Sequence, residues 1–221
     1  MIVKSLLAAA LALAVLASVA SAAAEENDLR EFRIGMGVDD LPRSGYVGLT
    51  CADAPKDAPE NAPERGLQGW QDYRRCPAEA SGLRAVGFRY DEGANPLAKV
   101  NGLYEGTKVG GHPVLLTLLI GDDRVKGLVI ETDPAARLYL RKKAFLFGEQ
   151  VKAKYGEQGW TCTEAQPTAD EQPIGGVFIK ERCEKATPTR RLVLDRALFH
   201  HAGQDIRDFV SRSRLEILGP D

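Results

Sequence analysis

Two apolar runs rich in strand-forming residues stand close together near the middle of the chain. They cover His112–Gly121 and Arg124–Thr132 and flank the turn-like sequence Gly121-Asp122-Asp123. Glycine and aspartate are typical of short connections between antiparallel strands. The pattern therefore predicts a β-hairpin at this position.

A longer apolar stripe follows the hairpin and has the period of an α-helix. Its residues recur at spacings of four, three, four and four: Leu140, Ala144, Phe147, Val151 and Tyr155. Asp133 and Pro134 are favourable at the start of a helix, and Gly156 is favourable just after its end. These signals predict one main helix over about 134–155, packed on a sheet through its apolar stripe.

Further strand-like segments lie on both sides of this helix, at 83–90, 160–165, 176–184, 191–200 and 214–218. The fold class that follows is α+β, with a mostly antiparallel sheet or sheets and the helix packed on it. The segments also allow two related strand-rich halves, 25–111 and 112–221.

The first 24 residues have the pattern of a cleavable signal peptide. Lys4 precedes an apolar run over 6–19, and the small residues Ala20-Ser21-Ala22-Ala23-Ala24 follow. A basic start, an apolar core of about 7–15 residues and a small-residue exit are the three parts of an export signal. A membrane anchor is the alternative, but it needs about 20 apolar residues. We expect cleavage after Ala22 or Ala24 and a periplasmic or secreted mature protein.

The charge of the chain is close to balanced, with 29 basic and 31 acidic residues and a formal net charge of −2. Proteins that bind nucleic acid usually carry a concentrated basic patch, so nucleic acid is not an expected partner. No apolar run after the signal is long enough to span a bilayer, and membrane insertion is not expected after cleavage. The expected partner is a protein or a component of the cell envelope.

Four cysteines follow the predicted signal, and their surroundings repeat. Gly48-Leu49-Thr50-Cys51 is echoed by Gly159-Trp160-Thr161-Cys162, and Arg75-Cys76 is echoed by Arg182-Cys183. The echo predicts an internal duplication with one disulfide in each copy, Cys51–Cys76 and Cys162–Cys183. Each bridge would contribute about 3 kcal/mol in the chain-entropy description. A chance match and a four-cysteine zinc site are the alternatives, although zinc sites usually contain CxxC pairs.

Motifs for catalysis or cofactor binding do not emerge from the sequence. No serine lies in a GxSxG turn, no glycine-rich stretch ends as a phosphate-binding loop does, and neither CxxC nor CxxCH occurs. No catalytic residue and no cofactor is therefore assigned. His200 and His201 are only weak candidates for metal ligands, since adjacent residues of a strand point to opposite faces.

Four basic residues lie on the predicted helix: Arg137, Arg141, Lys142 and Lys143. They form a candidate surface for an anion or an acidic partner. The alternative is a solvated helix face, which is the more common role of such a run.

Residues 112–200 contain a hairpin with a polar turn at 118–130, the helix end Lys154-Tyr155-Gly156 and the strand motif Gly159-Trp160-Thr161-Cys162. This combination resembles small exported bacterial proteins of unassigned function. The resemblance implies an envelope protein with a small α+β domain, and it implies no catalytic residue.

The sequence as a whole favours a soluble periplasmic protein without enzymatic activity that binds or assists a protein or envelope partner. Two alternatives stay open. One is a periplasmic hydrolase with an unrecognised carboxylate site. The other is a carrier of a metal or small ligand that uses His200 and His201.

Overall fold

The computed structural model describes residues 27–52, 66–91 and 107–220. The predicted signal peptide, residues 1–24, lies outside the described residues. The strands are β1 (Tyr46–Cys51), β2 (Arg84–Tyr90), β3 (Lys108–Val109), β4 (His112–Gly121), β5 (Arg124–Thr132), β6 (Thr161–Glu164), β7 (Glu171–Gln172), β8 (Ile179–Ala186), β9 (Arg191–His201) and β10 (Val210–Leu218). The helices are α1 (Leu138–Arg141) and α2 (Leu146–Tyr155), with 3-10 turns at Val38–Asp40, Trp70–Arg75 and Ile206–Asp208. Within these ranges no helix is long and apolar enough to cross a membrane.

The strands of the described part are joined by antiparallel pairings. The main path runs β1-β2-β4-β5-β10-β9-β8-β6, while the two-residue strands β3 and β7 pair with β4 and β9 at its side. The prediction of an α+β fold dominated by antiparallel strands is confirmed at this level. β5 and β10 are the central strands of the path, so the last strand of the chain pairs with the hairpin.

The hairpin predicted from the two apolar runs is confirmed, with β4 and β5 at the expected bounds. Asp122 and Asp123 form its turn with φ values of 51° and 57°. A two-residue type I′ turn requires this left-handed conformation at both positions, and aspartate tolerates it better than most residues. The Tyr73 hydroxyl donates a hydrogen bond of 2.7 Å to Asp123 Oδ1, which fixes the turn against the segment that precedes Cys76.

The region predicted as one helix over about 134–155 is divided in the structure. α1 ends at Arg141, and a turn leads into α2 at Leu146. The hydroxyl of Ser213, on β10, donates to the carbonyl oxygens of Ala144 and Phe145, at 3.0 and 3.3 Å. A side chain from the sheet therefore uses carbonyl groups that a continuous helix would bond internally.

The main core lies on the face of the sheet that α2 covers. Alternate residues of the central strands point to this face and are fully buried, among them Leu116, Leu118, Leu128, Leu192, Leu194, Leu215 and Ile217. α2 packs on β10 and β9. The opposite face carries a small apolar cluster of Ala85, Leu119 and Val129 and rows of paired charges.

The two echoed cysteine motifs lie on β1 and β6, the strands at the two ends of the path. Their second cysteines differ in setting, since Cys76 follows a 3-10 turn and Cys183 lies within β8. The internal duplication and the division into halves 25–111 and 112–221 stay predictions.

Candidate functional site

A cavity of about 330 Å³ lies between α2 and the sheet, and we call it the α2 pocket. Its floor is the paired residues Ile130 of β5 and Leu215 of β10. Phe147 and Val151 form the helix wall, because residues four apart lie on the same face of a helix. The pocket is therefore lined by apolar side chains from three elements that are far apart in the sequence.

The rest of the lining comes from β3, from the turn that follows it and from the start of the described chain. Val109 belongs to β3, Gly110 to the turn and Leu29 to the N-terminal segment. Gly110 has a φ of +57°, and a Cβ atom there would lie 2.2 Å from Oε1 of Gln150 on α2. Glycine at this position thus permits both the tight turn and the close approach of the turn to the helix.

Asp28 is the carboxylate of the lining, and its charge is satisfied inside the protein. It accepts a hydrogen bond from the backbone N–H of Ile34 at 2.8 Å. It also accepts two from the Arg190 guanidinium, from Nε at 2.6 Å and from Nη2 at 3.0 Å. The side chains of Asp28 and Arg190 are 8% and 11% exposed. Arg190 therefore neutralises the carboxylate of the pocket lining.

The mouth of the pocket carries a cation. Lys154 is exposed at the edge of the cavity, beside Gln150 and Tyr155, and its Nζ lies 5.2 Å from the centre of the Tyr155 ring. With Asp28 neutralised by Arg190, the Lys154 ammonium is the charge that a bound molecule would meet at the rim. The described surface of the pocket thus combines an apolar interior with a positive edge.

Ion pairs beneath α2 fix the helix on the sheet. Glu181 accepts from Lys152 at 3.1 Å and from Arg196 at 2.7 Å, and Arg196 also binds Glu149 at 2.6 Å. Gly148 makes room for this arrangement, since a Cβ atom there would lie 2.4 Å from Cδ of Arg196. These contacts hold α2 on the sheet.

Lys185 holds the C-terminal end of the same helix. Its ammonium, on β8, donates to the carbonyl oxygens of Gly156 and Gln158 at 2.9 and 2.8 Å. A cation at this end also complements the helix dipole. The wall of the pocket that α2 provides is therefore anchored at both its middle and its end.

A second and larger cavity, about 550 Å³, lies on the opposite face at the β6 end of the sheet. Its lining is polar, and its arginines already have partners. Arg182 binds Asp195 at 2.9 Å, and Arg191 binds Glu184 at 3.2 Å. Because these charges balance one another, the groove offers less to a ligand than the α2 pocket does.

Both predicted disulfides are present in the structure. Cys51 is bonded to Cys76, and Cys162 is bonded to Cys183. The alternative of a four-cysteine zinc site is therefore not realised in this state. Glu181 lies close to the second bridge, but both sulfurs are covalently occupied and the carboxylate is already bound by two cations.

His200 and His201 have separate hydrogen-bond partners. Nδ1 of His201 lies 2.9 Å from Oδ2 of Asp170, while Nδ1 of His200 lies 3.2 Å from the carbonyl oxygen of His201. Hydrogen bonds from Thr168 and then His201 lower the pKa of the Asp170 carboxyl. In the described part of the chain, neither histidine belongs to a group of three side chains placed to share a metal ion.

The four basic residues of the predicted surface differ in their surroundings. Arg141 is half-buried, with its guanidinium 5.5 Å from the Phe209 ring and Nη2 donating to the Arg207 carbonyl at 3.3 Å. Lys142 and Lys143 are exposed on the turn after α1, and Arg137 precedes that helix. A role of this surface in binding an anion or partner stays a prediction.

Sequence reasoning did not find the α2 pocket. Its polar pair, Asp28 and Arg190, is separated by 162 positions, and no local pattern joins such residues. The apolar stripe that contains Phe147 and Val151 predicted the helix wall. It did not indicate that the turn at Gly110 would lie against the helix.

Comparison of the chain with protein-family models, with curated proteins and with solved structures gives no match. The site is therefore interpreted from its own geometry.

Proposed function

We propose that this protein is an exported, non-enzymatic binding protein whose ligand is an apolar chain or ring with a negatively charged end. The observation that carries the proposal is the α2 pocket, apolar inside and positive at Lys154. An envelope component or a segment of a partner protein could supply such a group, and both share this chemistry.

The size of the pocket agrees with a small ligand. Its volume of about 330 Å³ lies at the lower end of the range of about 300–1,000 Å³ found for small-molecule sites. Each methylene group that leaves water contributes about 0.8 kcal/mol. Because α2 is held by ion pairs before binding, little of this free energy is needed to order the wall.

The lining supports binding rather than hydrolysis. Glycoside hydrolysis uses two carboxyl groups that face the same bond. Among the described lining residues, Asp28 is the sole carboxylate, and it is bound by Arg190. The hydrolase alternative therefore finds no support at this cavity.

Two disulfides support a location in an oxidising compartment. Together with the predicted signal peptide they favour the periplasm or the exterior of the cell. The proposed ligand is thus one that meets the protein after export.

A pair of fluorescent probes tests the proposal: a medium-chain fatty acid and the matching fatty alcohol, each with the same fluorophore. We expect saturable binding of both, with the acid bound about fivefold more tightly through Lys154. Val151→Phe, which fills the pocket, should weaken both probes. Lys154→Gln should weaken only the acid, and Lys142→Gln should change neither.

Non-saturable binding of the probes would overturn the proposal. So would equal binding by Val151→Phe, provided that circular dichroism shows this variant to be folded. Tighter binding of the alcohol would agree with an apolar binding pocket but would contradict the proposal that the ligand has a negatively charged end.

A further inference from the structure

The two disulfides differ in their exposure. Cys51 and Cys76 are 4% and 1% exposed and belong to the main core. Cys183 is fully buried, but its partner Cys162 is exposed on β6. One bridge therefore contains an exposed cysteine, whereas both cysteines of the other bridge are buried.

The position of β6 leaves room for a reagent to approach. β6 ends the strand path and pairs only with β8 along it, and its four residues are all exposed. Cys162 lies directly opposite Cys183 in this pairing. A thiolate must approach one sulfur of a disulfide to exchange with it, and Cys162 is the exposed cysteine of this bridge.

A cation lies beside this sulfur. Nζ of Lys152, on α2, is 3.8 Å from Cys162 Sγ and is held in place by Glu181 at 3.1 Å. A neighbouring ammonium stabilises a thiolate and attracts an anionic attacking thiol. Lys152 therefore favours both the approach of a thiolate to Cys162 and the release of Cys162 as a thiolate.

We propose that Cys162–Cys183 is a thiol–disulfide exchange site that accepts two electrons from a dithiol, whereas Cys51–Cys76 is a structural bridge. One thiolate of the dithiol attacks Cys162 Sγ and forms a mixed disulfide, and Cys183 leaves as a thiolate and takes up a proton. The second thiolate of the dithiol then attacks the first sulfur of the same dithiol, which is bonded to Cys162 Sγ in the mixed disulfide. Cys162 leaves as a thiolate beside Lys152, and the dithiol ends as a disulfide.

The α2 pocket takes no part in this reaction, so the proposal stands apart from ligand binding. The chemistry instead assigns a class of partner, a molecule or protein with two adjacent thiols. Opening the bridge would also remove the covalent link between β6 and β8.

Timed reduction of the folded, oxidised protein tests this proposal. The protein is treated with dithiothreitol under native conditions, quenched with acid, alkylated and digested, and each cysteine is followed by peptide mass. We expect Cys162 and Cys183 to become alkylated together, at least about tenfold faster than Cys51 and Cys76. Equal rates for the two bridges, or faster opening of Cys51–Cys76, would overturn the proposal.

Variants at Lys152 test the role of the cation. Lys152→Gln should slow the opening of Cys162–Cys183 several-fold, Lys152→Arg should retain most of the rate, and the exposed control Lys142→Gln should leave it unchanged. If Lys152→Gln matches Lys142→Gln, the assigned role of Lys152 is wrong. The comparison between the two bridges needs no variant and remains decisive if a substituted protein folds poorly.

Discussion

Arg190 donates two hydrogen bonds to Asp28, from Nε to Oδ1 at 2.6 Å and from Nη2 to Oδ2 at 3.0 Å. The pair joins the beginning of the described chain to the turn between β8 and β9. Asp28 also lines the α2 pocket. A contact that stabilises the fold therefore also neutralises the carboxylate of the pocket lining.

Breaking this ion pair should destabilise the protein strongly. Asp28→Asn or Arg190→Gln leaves a buried charge without its counter-charge, and the expected loss is about 3–5 kcal/mol in the free energy of unfolding. Urea denaturation of the oxidised protein measures it. The exposed pair of Arg207 and Asp205 supplies the control, since Arg207→Gln should cost less than about 1 kcal/mol. Similar losses at both sites would contradict the prediction.

Two serines of β10 form a matched test of the bonds that divide the helix. Ser213→Ala removes the donor to the carbonyls of Ala144 and Phe145 and should lower the free energy of unfolding by about 1–3 kcal/mol. The Oγ of Ser211 is buried and has no hydrogen-bond partner within the described part of the structure. Ser211→Ala removes a buried hydroxyl that makes no hydrogen bond, so it should leave the free energy of unfolding unchanged or raise it. Thermal or urea unfolding distinguishes the two, and the reverse order would refute the account of the helix break.

Substitutions at Gly110 and Gly175 compare two costs of adding a side chain, backbone strain and steric collision. Both have a φ of +57°, but a Cβ atom at Gly110 would meet Gln150, whereas at Gly175 it would meet nothing within 4 Å. Gly110→Ala and Gly175→Ala should each cost about 1 kcal/mol in the free energy of unfolding, from backbone strain. The atom that the new Cβ at 110 would meet is the end of the exposed Gln150 side chain, which can turn away, so adding Gln150→Ala to Gly110→Ala should recover little. Urea unfolding checks this, and a large recovery in the double variant would show that the collision matters.

His112 should make stability depend on pH. Burial, followed by the nearby Lys143 ammonium, lowers the pKa of its imidazole. The unfolded chain therefore takes up a proton first, so stability is full above about pH 6.5 and falls as the pH decreases from there towards the folded-state pKa. His112→Gln should flatten this part of the profile, and Lys143→Gln should make it shallower. Urea unfolding between pH 7.5 and 5, with NMR titration of the ring, provides the check. A profile unchanged by His112→Gln would exclude this histidine as the cause.

The sequence predicted what local chemistry determines. The apolar runs and the Gly121-Asp122-Asp123 turn defined the hairpin, and the echoed motifs gave the correct cysteine pairs. The division of the helix was missed because its cause, Ser213, lies about 69 positions along the chain from Ala144. The ion pair of Asp28 and Arg190 was not predicted for the same reason. A polar contact across the fold leaves no period or motif in the sequence.

The two bridges lie at opposite ends of the strand path, Cys51 on β1 and Cys162 on β6. Terminal strands are where a sheet can recruit a strand from another molecule. Covalent fastening at both ends makes such recruitment harder. In a chain whose cysteines were reduced, both terminal strands would lose that covalent link to their neighbours and would pair more readily with a strand of a second chain.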